Sequence, residues 1–145
     1  MLAVGNRLWG DDGAGVELGL ALQARLRPNP QRAVFIAESA PESYSGPLRR
    51  FAPHLTLWLD VCGIGAPPGS LALLPWEAAV ETRPGAHLGS PGLLARYLQA
   101  ECGGDLLLLT FQPQEIAFDR PLTPVLAAAV ARAAEELGEI LEIER

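Results

Sequence analysis

Short apolar runs alternate with longer segments of helical periodicity along the whole chain. Prolines and glycines are spread through the chain and punctuate these short elements. The apolar runs predict strands over Met1–Val4, Ala33–Ala37, Leu55–Leu59, Ser70–Leu74 and Asp105–Phe111. Strands that are apolar at nearly every position are typical of a parallel sheet that helices cover on both faces.

Four segments between or after these strands have the spacing of helices. We expect helices over Gly13–Leu26, Ser45–Phe51, Ser90–Cys102 and Thr123–Leu141. Asp11 and Asp12 precede the first of them and are suited to cap it, because the amides at a helix N-terminus attract negative charge. Ser90 followed by Pro91 is a strong signal for a helix start.

The alternation of strands and helices predicts an α/β fold with a mostly parallel sheet. The length of 145 residues suits one domain that spans residues 1–145. With right-handed crossovers, the first strand is expected to lie between the second and the third. The tryptophans Trp9, Trp58 and Trp76 are interpreted as core or groove residues.

Composition and charge argue against nucleic acid and membranes as partners. The chain is 49% hydrophobic, its net charge is −6, and all 11 of its basic residues are arginines. An acidic chain of this kind is not expected to bind nucleic acid or an anionic membrane. The longest strictly apolar run, Val125–Ala131, is far shorter than the ~20 residues of a membrane span. The first residues lack the charged segment of a signal peptide.

The two cysteines, Cys62 and Cys102, form no CxxC pair, so we expect reduced thiols in a cytoplasmic protein. We also expect a monomer, because a chain of this size can bury a core without a partner. The glycine-rich run Gly10–Gly15 opens a helix but does not match G-x-G-x-x-G. Its two acids would repel a pyrophosphate, which argues against dinucleotide binding.

Two acids stand out by their positions relative to the strands. Asp12 follows the first strand across a turn, and Asp60 follows the third strand. In the predicted topology both lie at carboxyl ends of neighbouring strands, where α/β proteins bind ligands. The simpler interpretation is that Asp12 caps a helix and Asp60 begins a turn.

The two histidines are expected at opposite edges of the sheet. His54 precedes the third strand and therefore lies at its amino end, away from the acids. His87 lies in the loop before the Ser90 helix start and can face the carboxyl edge. Two carboxylates and one imidazole are able to bind a divalent transition metal. The pairing of Cys62 as a nucleophile with His87 is a weaker alternative, since nothing in the sequence marks that thiol as activated.

Several segments, in order, resemble the hydrogenase maturation endopeptidases. The run Val4–Gly15, with its G-N-x-x-x-x-D-D-x-x-G pattern, resembles the opening signature of that family. The resemblance continues nearly end to end through Ser39–Glu42, Leu57–Asp60, Pro68-Gly69, Ala86-His87 and Phe111–Pro113.

This resemblance implies a three-layer α/β/α sandwich around a five-stranded sheet. It implies an endopeptidase that removes the C-terminal extension from the large-subunit precursor of a nickel–iron hydrogenase. Asp12, Asp60 and His87 correspond to the metal-contacting residues of the family. The nickel is expected to arrive with the precursor rather than to be permanently bound.

Two other functions remain open at this level: a non-catalytic nickel-responsive binding module, and a metal-dependent hydrolase of small molecules. The resemblance also leaves the activation of water open between nickel polarisation and a carboxylate general base at Asp12 or Asp60.

Overall fold

The computed structural model describes residues 1–77 and 91–143, and the strands of this part of the chain form one sheet. The strands are β1 (Leu2–Val4), β2 (Phe35–Glu38), β3 (Leu55–Val61), β4 (Leu71–Pro75) and β5 (Asp105–Phe111). Their order in the sheet is β2-β1-β3-β5-β4. The first strand therefore lies between the second and third, as predicted.

The sheet is parallel except at one edge. β1 pairs in parallel with both β2 and β3, and β3 pairs in parallel with β5. β4 runs antiparallel to β5. The carboxyl ends of β1, β3 and β5 consequently meet at one edge of the sheet, which we call the carboxyl edge.

The helices are α1 (Ala14–Arg25), α2 (Ser45–Phe51), α3 (Pro91–Cys102) and α4 (Pro124–Ile143), with short 3-10 helices at Gly10–Gly13 and Pro41–Tyr44. These bounds agree with the predicted helices to within a few residues, and α2 agrees at both ends. None of the helices in the described ranges combines the length and the apolar character needed to cross a membrane.

Each face of the sheet carries its own apolar core, which makes the fold a three-layer α/β/α sandwich. On one face α1 and α4 pack on side chains of the sheet that include Ala3, Leu59 and Phe111. On the other face α2 and α3 pack against residues that include Leu2 and Trp58. Successive residues of β1 and β3 thus alternate between the two cores, as the two-residue period of a strand requires.

Two local predictions were wrong. β3 does not end before Asp60 but continues through Asp60 to Val61, because β5 extends alongside it and pairs Asp60 with Thr110. The carboxylates of Asp11 and Asp12 do not cap a helix: the 3-10 helix begins after Trp9, α1 begins after Gly13, and neither has a side-chain cap.

Candidate functional site

The start of α1 lies directly against the carboxyl edge. A Cβ atom at Gly15 would lie 2.4 Å from the carbonyl oxygens of both Val4 and Leu59, which is closer than any side chain can approach. A glycine is therefore required for α1 to begin so near the ends of β1 and β3. This close contact brings the turn before α1, which carries Asp12, to the edge where Asp60 lies.

Asp12 is half-buried and holds the turn that follows β1. Its Oδ2 accepts a hydrogen bond of 2.9 Å from the backbone N–H of Asn6. The side chain of Asn6 in turn accepts the N–H of Leu8 at 3.0 Å. The carboxylate of Asp12 is thus oriented by the backbone and still reaches solvent.

Asp60 is a buried acid on the α2–α3 face of the sheet. Its Oδ1 accepts the N–H of Val61 at 2.8 Å, and its Oδ2 accepts the indole N–H of Trp58 at 3.3 Å. The side chain is 5% exposed. A carboxylate this deeply buried requires hydrogen-bond donors to remain charged, and these contacts supply them and fix its orientation.

Thr110 lies beside Asp60 on the neighbouring strand, in register with it. The residue is fully buried, and its hydroxyl has no hydrogen-bond partner among the described residues. A buried hydroxyl without a partner is uncommon and costs stability. The sequence offered no signal for this, because a threonine inside a buried strand is ordinarily a packing residue.

Asp11 has a role that the sequence did not reveal. It is fully buried, and its Oδ2 accepts the N–H groups of Gln114 and Glu115 at 2.8 and 2.9 Å. Its Oδ1 accepts the N–H and the hydroxyl of Thr123 at 2.7 and 2.9 Å. Asp11 therefore fastens the turn before α1 to the segment that joins β5 to α4, and it is a structural acid rather than a metal ligand.

Of the two histidines, the described part of the chain includes His54. His54 precedes β3, and its carbonyl oxygen accepts the N–H of Asp105 at the start of β5. It also lines a cavity with Met1 and Leu55, at the amino ends of the strands. Its predicted position away from the acids is confirmed. His87 lies outside the described residues, and its convergence with Asp12 and Asp60 stays a prediction.

The direction of α3, the helix after His87 in the sequence, bears on the predicted site. α3 ends at Cys102, and a turn of two glycines leads from it to the amino end of β5. A helix of 12 residues is about 18 Å long, so the other end of α3, at Pro91, lies toward the carboxyl edge. Over residues 1–77 and 91–143, no three His, Cys, Asp or Glu side chains are close enough to share a metal ion.

Both cysteines are thiols, as expected. Cys62 is buried just after β3, and Cys102 is half-buried at the end of α3. Burial raises the pKa of the Cys102 thiol, an effect that the nearby Arg49 opposes. A thiol with a raised pKa is a poor candidate for a nucleophile.

The chain was compared with family models and with known proteins. No family model matches the chain. The chain is 30% identical over 131 residues to the hydrogenase 3 maturation protease of Escherichia coli strain K12, and the alignment covers 90% of this chain and 82% of that protein.

Solved structures extend the similarity to nearly the full length. The crystal structure of a NiFe hydrogenase maturation protease HycI from Thermococcus kodakarensis KOD1 has a TM-score of 0.85 at 25% identity, covering 97% of this chain and 90% of that one. The solution structure of the endopeptidase HycI from Escherichia coli has a TM-score of 0.79 at 27% identity, covering 95% and 87%.

Proposed function

Since the chain belongs to the hydrogenase maturation proteases, we propose that it removes the C-terminal extension of a nickel–iron hydrogenase large-subunit precursor that already holds nickel. The chain is a protease of that family, and neither a small-molecule hydrolase nor a non-catalytic binding module is favoured. The observation that carries the proposal is the placement of Asp12 and Asp60 at one edge of the sheet in a chain of this family.

Asp12, Asp60 and His87 are the residues that we propose contact the nickel of the precursor. The backbone orients Asp12, and Trp58 and Val61 orient Asp60, so both carboxylates are held in place before the substrate arrives. His87 precedes the first residue of α3 by only four positions. Four residues span at most about 13 Å, so a start of α3 toward the carboxyl edge supports the proposal that His87 reaches the acids.

Nickel enters the reaction as part of the substrate. Carboxylate oxygen and imidazole nitrogen bind nickel, but they compete poorly with thiolate ligands that already hold the metal. The three side chains would therefore detect a loaded precursor without removing its nickel. Hydrolysis then adds one water molecule across a single peptide bond. It leaves a new carboxylate on the large subunit and a new amino group on the released peptide.

We propose that residues 1–145 form one domain, because strands from both halves of the chain lie in the same sheet. The two thiols fit a cytoplasmic site of processing. We propose that the protein acts as a monomer, which sedimentation of the purified protein will test.

Cleavage of a purified precursor is the direct test of the proposed function. We expect wild-type protein to shorten nickel-loaded precursor by the mass of its C-terminal extension, read by mass spectrometry, and to leave nickel-free precursor uncut. Asp12→Asn, Asp60→Asn and His87→Ala should each lower the rate at least 100-fold without loss of folding.

Two matched variants serve as controls. His54→Ala removes the other imidazole, which lies at the opposite edge of the sheet, and should cleave normally. Cys62→Ser should also cleave normally, since no thiol nucleophile takes part. Equal cleavage of nickel-free precursor would contradict nickel recognition. Inactivity of a folded Cys62→Ser variant would point instead to a thiol mechanism.

A further inference from the structure

Two surface segments run side by side next to the candidate site. The first is the turn Asn6–Asp12, which carries the acid Asp12 at its end. The second is Gln114–Arg120, which follows β5. The backbones are joined where Asp119 donates its N–H to the carbonyl of Leu8 at 2.8 Å and Gly10 donates its N–H to that of Arg120 at 3.1 Å. The two segments therefore form one surface that adjoins Asp12.

This surface displays large apolar side chains to solvent. Leu8 is 60% exposed, Trp9 44%, Ile116 51% and Phe118 63%. The rings of Trp9 and Phe118 contact each other with centroids 5.4 Å apart. We call these four residues the apolar rim. The sequence interpretation of Trp9 as a core or groove residue did not anticipate this exposure.

Hydrogen bonds of Asp11 fix the backbone that carries the apolar rim. The carboxylate of Asp11 binds the backbone N–H groups of Gln114 and Glu115 and thus fixes the start of the second segment. The N–H of Asp11 is itself donated to the carbonyl of Glu115 at 3.1 Å. The backbone beneath the exposed side chains is therefore organised before any partner binds, which lowers the entropy cost of binding.

The area of the rim indicates what kind of partner covers it. Four side chains of about 200 Å² each, half exposed, present on the order of 400 Å² of surface. Patches of that size on a monomer are often functional. A stable dimer needs about 800 Å² from each partner, so a second copy of this chain is not the natural occupant. A transient enzyme–substrate contact needs less.

We propose that the apolar rim is a docking surface for an apolar segment of the polypeptide substrate, which holds the substrate so that its cleavage region reaches Asp12. This inference rests on the proposed function, since it takes the precursor to be the substrate. The turn that carries Leu8 and Trp9 also carries Asp12, so a polypeptide that approaches Asp12 along this surface contacts the rim. Burial of its apolar side chains supplies affinity without changing the chemistry at the acids.

Steady-state cleavage of nickel-loaded precursor tests the rim. The double variant Trp9→Ser/Phe118→Ser should lower kcat/KM at least tenfold. The loss should come from a higher KM, with kcat nearly unchanged. Leu8→Ser, which leaves the ring contact intact, should raise KM about threefold. Ile140→Ser is the matched control, because Ile140 is 57% exposed on α4, outside the rim, and should cleave as the wild type does.

Binding is measured separately so that the two proposals can fail independently. Calorimetry with nickel-free precursor, which is not expected to be cut, should show a Kd at least tenfold weaker for the double variant than for the wild type. Equal Kd values would overturn the docking surface whatever the cleavage result. Normal binding by the wild type without cleavage of loaded precursor would instead overturn the proposed function. A wild-type dimer that the double variant converts to a monomer would show that a second copy covers the rim, and would overturn the proposal.

Discussion

Asp11 and Asp12 are neighbours in the sequence, but the structure gives them opposite consequences for the same substitution. Replacement of either carboxylate by an amide keeps the shape of the side chain and removes its charge. In Asp11→Asn, the new NH₂ group takes the place of one oxygen that accepts backbone N–H groups. If it replaces Oδ2, the N–H groups of Gln114 and Glu115 lose their acceptor and face another donor.

The cost of Asp11→Asn follows from these lost contacts. A buried donor left without an acceptor costs about 1–3 kcal/mol. The donors to Asp11 are partly buried, so we expect a total near 3 kcal/mol. For a chain of this length that corresponds to a fall in Tm of roughly 10 °C. With a slope of about 2 kcal/mol per molar urea, the unfolding midpoint should fall by about 1.5 M.

Asp12→Asn should behave differently. The half-buried carboxylate of Asp12 accepts one N–H, from Asn6, and an amide oxygen can accept the same bond. We expect its free energy of unfolding to change by less than about 1 kcal/mol. Cleavage of the nickel-loaded precursor should nevertheless be lost, because a neutral amide is a much weaker nickel ligand than a carboxylate.

Urea unfolding followed by circular dichroism, with the wild type alongside, measures both effects in one experiment. An Asp11→Asn midpoint within about 0.5 M urea of the wild type would show that the buried carboxylate does not hold the two segments together. A larger loss of stability for Asp12→Asn than for Asp11→Asn would reverse the assignment of the structural and the functional acid.

Three further predictions concern stability, each measured by thermal or urea unfolding. Gly15→Ala should lower the free energy of unfolding by about 3 kcal/mol, because its Cβ would clash with backbone at the carboxyl edge. Gly63→Ala, with no atom within 4 Å of its Cβ, should change it by less than about 0.5 kcal/mol. Equal effects would contradict the close contact at Gly15. Thr110→Val should raise stability by up to about 1 kcal/mol with cleavage unchanged, since it removes a buried hydroxyl that has no partner among the described residues. Lost cleavage with intact folding would place the hydroxyl in the site. Hydrogen bonds from the backbone N–H of Arg27 and the side chain of Arg32 lower the pKa of Glu142 below its usual 4.5. The ionised carboxylate therefore stabilises the folded protein above pH 4.5, and this contribution is lost as pH falls through the lowered value. The Tm difference between wild type and Glu142→Gln should therefore be widest above pH 5 and narrow in acid, and a difference independent of pH would refute this.

The sequence alone determined the arrangement of elements and the edge of the sheet at which Asp12 and Asp60 lie. Apolar runs predicted every strand of the described sheet. The central strands β3 and β5 have few polar positions because both of their faces are mostly buried, whereas the edge strand β4 is apolar although alternate positions are exposed. The bounds of α2 were predicted at both ends. The positions of Asp12 after β1 and of Asp60 near the carboxyl end of β3 were sufficient to place them at one edge, since parallel strands share the direction of the chain.

The tertiary structure decided what each polar residue at that edge does. Asp11 and Asp12 have the same side chain and adjacent positions, so no local pattern separates the structural acid from the one that we propose contacts nickel. The difference comes from Gln114, Glu115 and Thr123, more than 100 residues along the chain, whose donors surround only Asp11. The end of β3 likewise depended on how far β5 continues beside it. Contacts between residues far apart in the chain set these features, and a sequence pattern records only what neighbours along the chain dictate.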